Sequence, residues 1–179
     1  MNQIFRRCVL VLIACSPLAG QTQPAPGPDQ TCTVVRPGIR IPCPPGWNLL
    51  NEEADSTVIS SFPRTSGNRN RVSGPGMATI TVFSIPKHYE DLARWIWVGR
   101  KNVPDATETK LTVLNEAAGK IQVVCLASPV SSGPASTSYF FQYGRTPVLV
   151  EVAYRAQDPK KDDYRAAAQR MIERAIPTR

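Results

Sequence analysis

Short alternating runs of apolar and polar residues fill most of the chain, broken by Gly, Pro and Asn, and in two segments the apolar period shifts from two to near four. Residues 78–85 (ATITVFSI) alternate and are rich in β-branched side chains, the pattern of a half-buried strand. Residues 46–50 and 57–62 carry weaker versions of it, the second stopped by Pro63. Residues 110–116 and 120–128 flank Ala117-Ala118-Gly119, and residues 137–143 and 147–155 flank Gly144-Arg145, so each pair predicts a β-hairpin. In residues 89–101 the period becomes helical. Tyr89, Leu92, Ala93 and Ile96 share one face, with Trp95 and Trp97 beside it. Near the C-terminus Asp158 suits an N-cap and Pro159 a first helical position. Tyr164, Ala168, Met171, Ile172 and Ala175 then make an apolar stripe that Pro177 ends. Strands, helix, four-strand meander and terminal helix in that order predict an α+β fold, a mostly antiparallel sheet with helices packed on it.

The first 31 residues do not belong to this pattern. A short basic start (MNQIFRR) is followed by the apolar run Cys8 to Ala14, too short for the roughly 20 residues that span a bilayer, so residues 1–14 read as a signal peptide. Leu12-Ile13-Ala14-Cys15 has the form of a bacterial lipobox, in which the Cys15 thiol is alkylated by a diacylglyceryl group before cleavage frees its amine for a further acyl chain. Two or three chains anchor stably where one does not, because each buried CH₂ adds about 0.8 kcal/mol. The alternative is a secretory leader with a chance cysteine. Ser16 after the cysteine fits outer-membrane sorting, which places the protein on the periplasmic face of the outer membrane; a plain secretory leader leaves it periplasmic or secreted. Residues 15–31, with Gln21 to Asp29 reading QTQPAPGPD, form a Pro-rich tether, and residues 32–179 a single α+β domain.

The composition is that of a globular protein, 42% apolar and 20% charged. The formal charge is +7; removing Arg6 and Arg7 with the leader leaves 19 basic residues against 14 acidic ones, a net +5. That balance favours anionic lipid, wall polymers or an acidic envelope protein as partner. Nucleic acid is excluded as a partner by the scattered basic residues and the export signal. Of the remaining cysteines, Cys32 and Cys43 flank a Pro37-Gly38 turn and in an oxidising compartment pair as a disulfide, stabilising the start of the domain by about 3 kcal/mol. Cys125, within the apolar run Ile121 to Leu126, reads as a buried inert thiol. With one histidine, His88, and no C-x-x-C spacing, no metal or other cofactor is expected.

In Gly46-Trp47, residues 78–85, the Tyr89–Leu92–Trp95 helix, the hairpin at Gly119-Lys120, the aromatic strand Tyr139-Phe140-Phe141, its partner around Val148 to Tyr154 and the terminal Tyr164…Met171-Ile172 helix, the chain resembles the Mog1/PsbP-like superfamily, which includes many small bacterial lipoproteins. The likeness covers residues 44–177 and rests on element order. It implies a curved antiparallel sheet between helices and a non-enzymatic binding or assembly role. Partners differ across such families, so none is carried over.

Candidate functional residues are few. Arg64, Arg69 and Arg71 lie in the polar loop of residues 64–77 and are suited to clasping a phosphate, carboxylate or acidic partner with forked donors, or simply to keeping a loop solvated. Trp95 and Trp97 stand two apart, so on a helix they cannot both face the core; one is a partner contact or sits half-buried at the helix edge. Neighbours at i and i+2 diverge, so His88 and Glu90 do not form an acid–base pair, and Glu90 and Asp91 suit a helix N-terminus. No G-x-S-x-G, P-loop or dinucleotide fingerprint is present, and no catalytic residue is assigned. A lipid-anchored binding or assembly accessory is the first reading. The alternatives are an envelope hydrolase and a structural or stress-related lipoprotein without a discrete ligand.

Overall fold

A computed structural model describes residues 32–63, 72, 74–84 and 91–178. The chain enters through a two-stranded hairpin, β1 (Thr33–Arg36) and β2 (Ile39–Pro42). Gly38, with φ +80°, makes its turn, and any Cβ there would collide with the Thr146 hydroxyl. The expected Cys32–Cys43 disulfide closes the hairpin, with the two Cα atoms 5.3 Å apart.

Seven further strands form one sheet: β3 (Asn48–Glu52), β4 (Ser56–Ser60), β5 (Thr79–Ser84), β6 (Thr107–Asn115), β7 (Gly119–Ala127), β8 (Pro134–Tyr143) and β9 (Thr146–Arg155). The order across the sheet is β3-β4-β5-β9-β8-β7-β6, with every pair antiparallel. Two meanders, one from each half of the chain, therefore join at β5 and β9. This is the α+β architecture expected from the pattern, and both predicted hairpins form.

Strand alternation gives the sheet two different faces. On one, Val123, Cys125, Tyr139, Phe141, Val148, Val150, Val152, Ile80 and Val82 are buried beneath the C-terminal helix α2 (Lys161–Glu173) and the β1–β2 hairpin. Tyr164, Ala168, Met171, Ile172 and Ala175 all lie in this core, as the stripe predicts. On the other face, helix α1 (Leu92–Asn102) packs Trp95 and Ile96 on Leu126, Phe140 and Leu149, a smaller cluster.

Helix boundaries differ from expectation for local reasons. Asp158 does not cap α2, which begins three residues later. Its side chain is buried and caps the preceding turn by accepting from Lys160 N at 2.9 Å, while Oδ2 accepts from Gly76 N at 2.7 Å and from the Tyr164 hydroxyl at 3.3 Å. A tertiary task thus displaced a local one. The helix ends at Glu173, before Pro177, because Ile176 leaves it to bridge Arg40. Asp91 caps α1, its Oδ1 accepting from Arg94 N at 2.6 Å. Ala93, placed on the buried face by its spacing, is exposed; Leu92, Trp95, Ile96 and Gly99 face the sheet instead.

Buried Asn115 fastens the two ends of this arrangement. Its amide donates to Ile172 O at 2.6 Å and Ala175 O at 3.0 Å, carbonyls at and just beyond the end of α2 that also accept from Ala175 N and the Tyr143 hydroxyl respectively. Its oxygen accepts from Ala117 N and Ala118 N, shaping the β6–β7 turn. Replacing Asn115 by Ala removes its bonds to both segments while the two carbonyls keep their other donors, and a loss of about 1–2 kcal/mol is expected. Urea unfolding checks this; a loss comparable to that of an exposed strand residue would show that the clasp is not needed.

Candidate functional site

Helix α1 covers only part of its face of the sheet, and the space left beneath it is a cavity of about 220 Å³. Its roof is one side of α1: Trp95, Val98, Gly99 and Asn102, followed by Val103. The floor comes from three neighbouring strands, and their register grades it. Phe140 pairs with Leu149 and Val124 in one row, and Ser138 pairs with Glu151 and Leu126 in the next. Ser136 lies one further row along, with Ser128 N bonded to its carbonyl at 2.9 Å. Apolar residues thus give way to hydroxyls and a carboxyl over about two residue pairs, or roughly 7 Å of strand.

The roof is held close. A Cβ on Gly99 would sit 2.8 Å from Phe140 Cζ and 3.2 Å from Leu126 Cδ1, so glycine sets the approach of helix to sheet. Trp95 packs edge-on against Phe140 with ring centroids 6.0 Å apart.

Among the described residues Glu151 is the single charged one lining the cavity. Burial raises its carboxyl pKa above the usual 4.5. The sequence marks Glu151 only as the lone carboxylate inside the apolar run Val148 to Tyr154 (VLVEVAY), a signal that does not by itself point to a site.

The outer side of α1 has another character. Trp97 is 51% exposed, and Lys101 Nζ lies 4.1 Å from its ring centroid. Arg94 is exposed one turn back, while Arg100 is engaged by Glu108 at 2.7 and 2.8 Å. The two tryptophans therefore divide as helical geometry requires, Trp95 inward and Trp97 outward. Arg64, Arg69, Arg71, His88 and Cys15 lie outside the described residues. Cys125 is buried with its thiol pKa raised by desolvation, the inert state expected of it.

On the α2 side, the Arg165 guanidinium donates to the Tyr154 hydroxyl at 2.6 and 2.9 Å and to Thr137 Oγ1 at 3.2 Å, a closed structural network. Arg36 is likewise consumed by the Glu53 and Ala54 carbonyls and Thr57 Oγ1. Among the described residues no group of His, Cys, Asp and Glu is placed to hold a metal ion, and no helix is long and apolar enough to cross a membrane.

No family model matches the chain, and no curated protein matches it in sequence. Solved structures similar to it include a protein from Bacteroides thetaiotaomicron VPI-5482, at 14% identity and a TM-score of 0.46, over 84% of this chain but only 49% of that one. The Ran-binding protein Mog1p of Saccharomyces cerevisiae is similar over 82% of this chain and 95% of its own, at 10% identity and a TM-score of 0.45. LpqN of Mycobacterium tuberculosis, involved in cell envelope biogenesis, is similar over 84% and 91%, at 14% identity and a TM-score of 0.40. All three TM-scores lie below 0.5, and the likeness transfers no residue.

The Glu151 carboxyl makes a sign-definite prediction. Because the folded state holds this proton more tightly than the unfolded chain, its contribution to stability is complete below pH 4.5. That contribution is lost as pH rises through the raised value. Denaturation of the wild type and Glu151→Gln across pH 4 to 8 should show the wild type losing stability relative to the variant as pH increases. Parallel profiles would remove Glu151 from the account.

Proposed function

We propose that this is an exported envelope protein, lipid-anchored at Cys15 after loss of residues 1–14, that works as a non-enzymatic binding or assembly accessory. Residues 15–31 act as the tether and residues 32–179 as the binding domain, on the periplasmic face of the outer membrane. The disulfide between Cys32 and Cys43 supports an oxidising, extracytoplasmic compartment.

The observation that carries the binding reading is Trp97. A large aromatic side chain, half exposed, stands on a helix that is capped by Asp91 and seated against the sheet at Gly99. It belongs to neither buried apolar cluster, and Lys101 lies over its ring, with Arg94 exposed one turn back. An exposed aromatic side chain on a helix with basic neighbours suits an acidic envelope protein or an anionic polymer. Arg64, Arg69 and Arg71 are further candidates, by their chemistry, for contact with such a partner. The hydrolase alternative finds less support: Ser128, Ser136 and Ser138 line the cavity with Glu151, but among the described residues no imidazole or lysine lines it to activate them.

Photocrosslinking from position 97 in intact membranes should capture a partner, and Trp97→Ala should weaken its co-purification at least tenfold. As a surface change, it should shift stability by no more than about 0.5 kcal/mol. Intact-mass measurement of the natural protein should show a chain beginning at a lipid-modified Cys15. Retention of Met1, or co-purification indifferent to Trp97, would overturn the respective half of this reading.

A further inference from the structure

We propose that the cavity between α1 and strands β7, β8 and β9 binds a small organic ammonium ion, its charged head against Glu151 and its apolar body against Trp95 and Phe140. This site is separate from the docking face: Trp95 lines the cavity, whereas Trp97 points to solvent from the other side of the helix.

Four observations converge on that ligand class. First, Glu151 is in the middle of a central strand, paired with Thr81 on one side and Ser138 on the other, and among the described residues lining the cavity there is no cation. A carboxyl in such a position is costly unless something compensates it. By contrast Arg36 of β1 and Arg165 of α2, the cations drawn into the packing elsewhere, each donate several hydrogen bonds. Second, the neutral polar groups beside it, Ser128, Ser136, Ser138 and Asn102, can accept the two remaining N–H bonds of an ammonium while one goes to the carboxylate. Third, the adjoining row is Trp95, Phe140 and Leu149, which shelters an apolar body and adds aromatic attraction for a cation. An anion would be repelled by Glu151, and a neutral alcohol would leave its charge uncompensated. Fourth, the volume of about 220 Å³ is below the roughly 300–1,000 Å³ of sites for larger ligands. A fragment-sized amine fits; a peptide or sugar chain does not.

The test uses the purified mature protein titrated with benzylammonium chloride, benzyl alcohol and benzoate, followed by backbone amide shifts. Benzylammonium should give saturable shifts at Gly99, Leu126 and Ser138. Benzyl alcohol should bind at least tenfold more weakly, and benzoate should not bind at all. Glu151→Gln keeps the shape of the side chain and should weaken benzylammonium at least tenfold, and Ser138→Val should weaken it by removing an acceptor. The comparison of the three probes needs no variant, so a variant that failed to fold would not shelter the proposal. Equal binding of benzylammonium and benzyl alcohol, indifference to Glu151→Gln in a folded variant, or no saturation by about 10 mM would each overturn it. None of these results bears on whether Trp97 docks a partner.

Discussion

Six pairs between β5 and β9, from Thr79↔Ala153 to Ser84↔Val148, join the first half of the chain to the second. Each half alone is a small meander of three or four strands with an unpaired edge. Joined, they place β9 at the centre of a seven-stranded sheet, where every second residue is committed to one of two layers. A slip of one residue in this pairing would turn Ile80 and Val82 out of the α2 core and bring Thr79, Thr81 and Phe83 into it. The apolar content of that core forbids the slip. The site on the opposite face depends on the same register, because it brings Glu151 beside Ser138 and Leu149 beside Phe140.

The two faces have divided the work. Beneath α2 the packing is continuous and nearly all apolar, and two of its polar members are well satisfied: Asn115 by the end of α2 and its own turn, Asp158 by Gly76, Lys160 and Tyr164. That side supplies the stability. Beneath α1 the contact is narrow, five buried apolar side chains with a glycine at the closest approach, and the floor beside it turns to serines and a carboxyl. A protein gains little stability from such a surface, which is why it is the part of the molecule free to carry a ligand and, on the outside of the same helix, a partner.

The alternation of residues 78–85, the two hairpins around Gly119 and Gly144 and the 3.6-residue stripe of α2 were all legible as local patterns, because each is decided by neighbours within a few positions. So was the disulfide, since a hairpin turn at Pro37-Gly38 brings Cys32 and Cys43 together whatever the rest of the chain does. Periodicity misplaced Ala93 because α1 has apolar residues on several sides: Leu92, Trp95, Ile96, Trp97 and Val98 offer more than one apolar face, and only the shape of the sheet selects between them. Asp158 was misread as an N-cap for a related reason. Its best hydrogen-bond partner, Gly76 N, is 82 residues away in sequence.

By itself, then, the sequence determined the class of fold, the elements and the separation of Trp95 from Trp97, since each follows from the repeat of a helix or strand. Tertiary structure alone decided that β5 and β9 meet, that Glu151 lies in a cavity rather than at the surface, and which hydroxyls surround it. The physical reason is the same in each case. Strand pairing and burial are set by residues far apart in the chain, and a carboxyl in an apolar run shows its chemistry only once both neighbouring strands are in place.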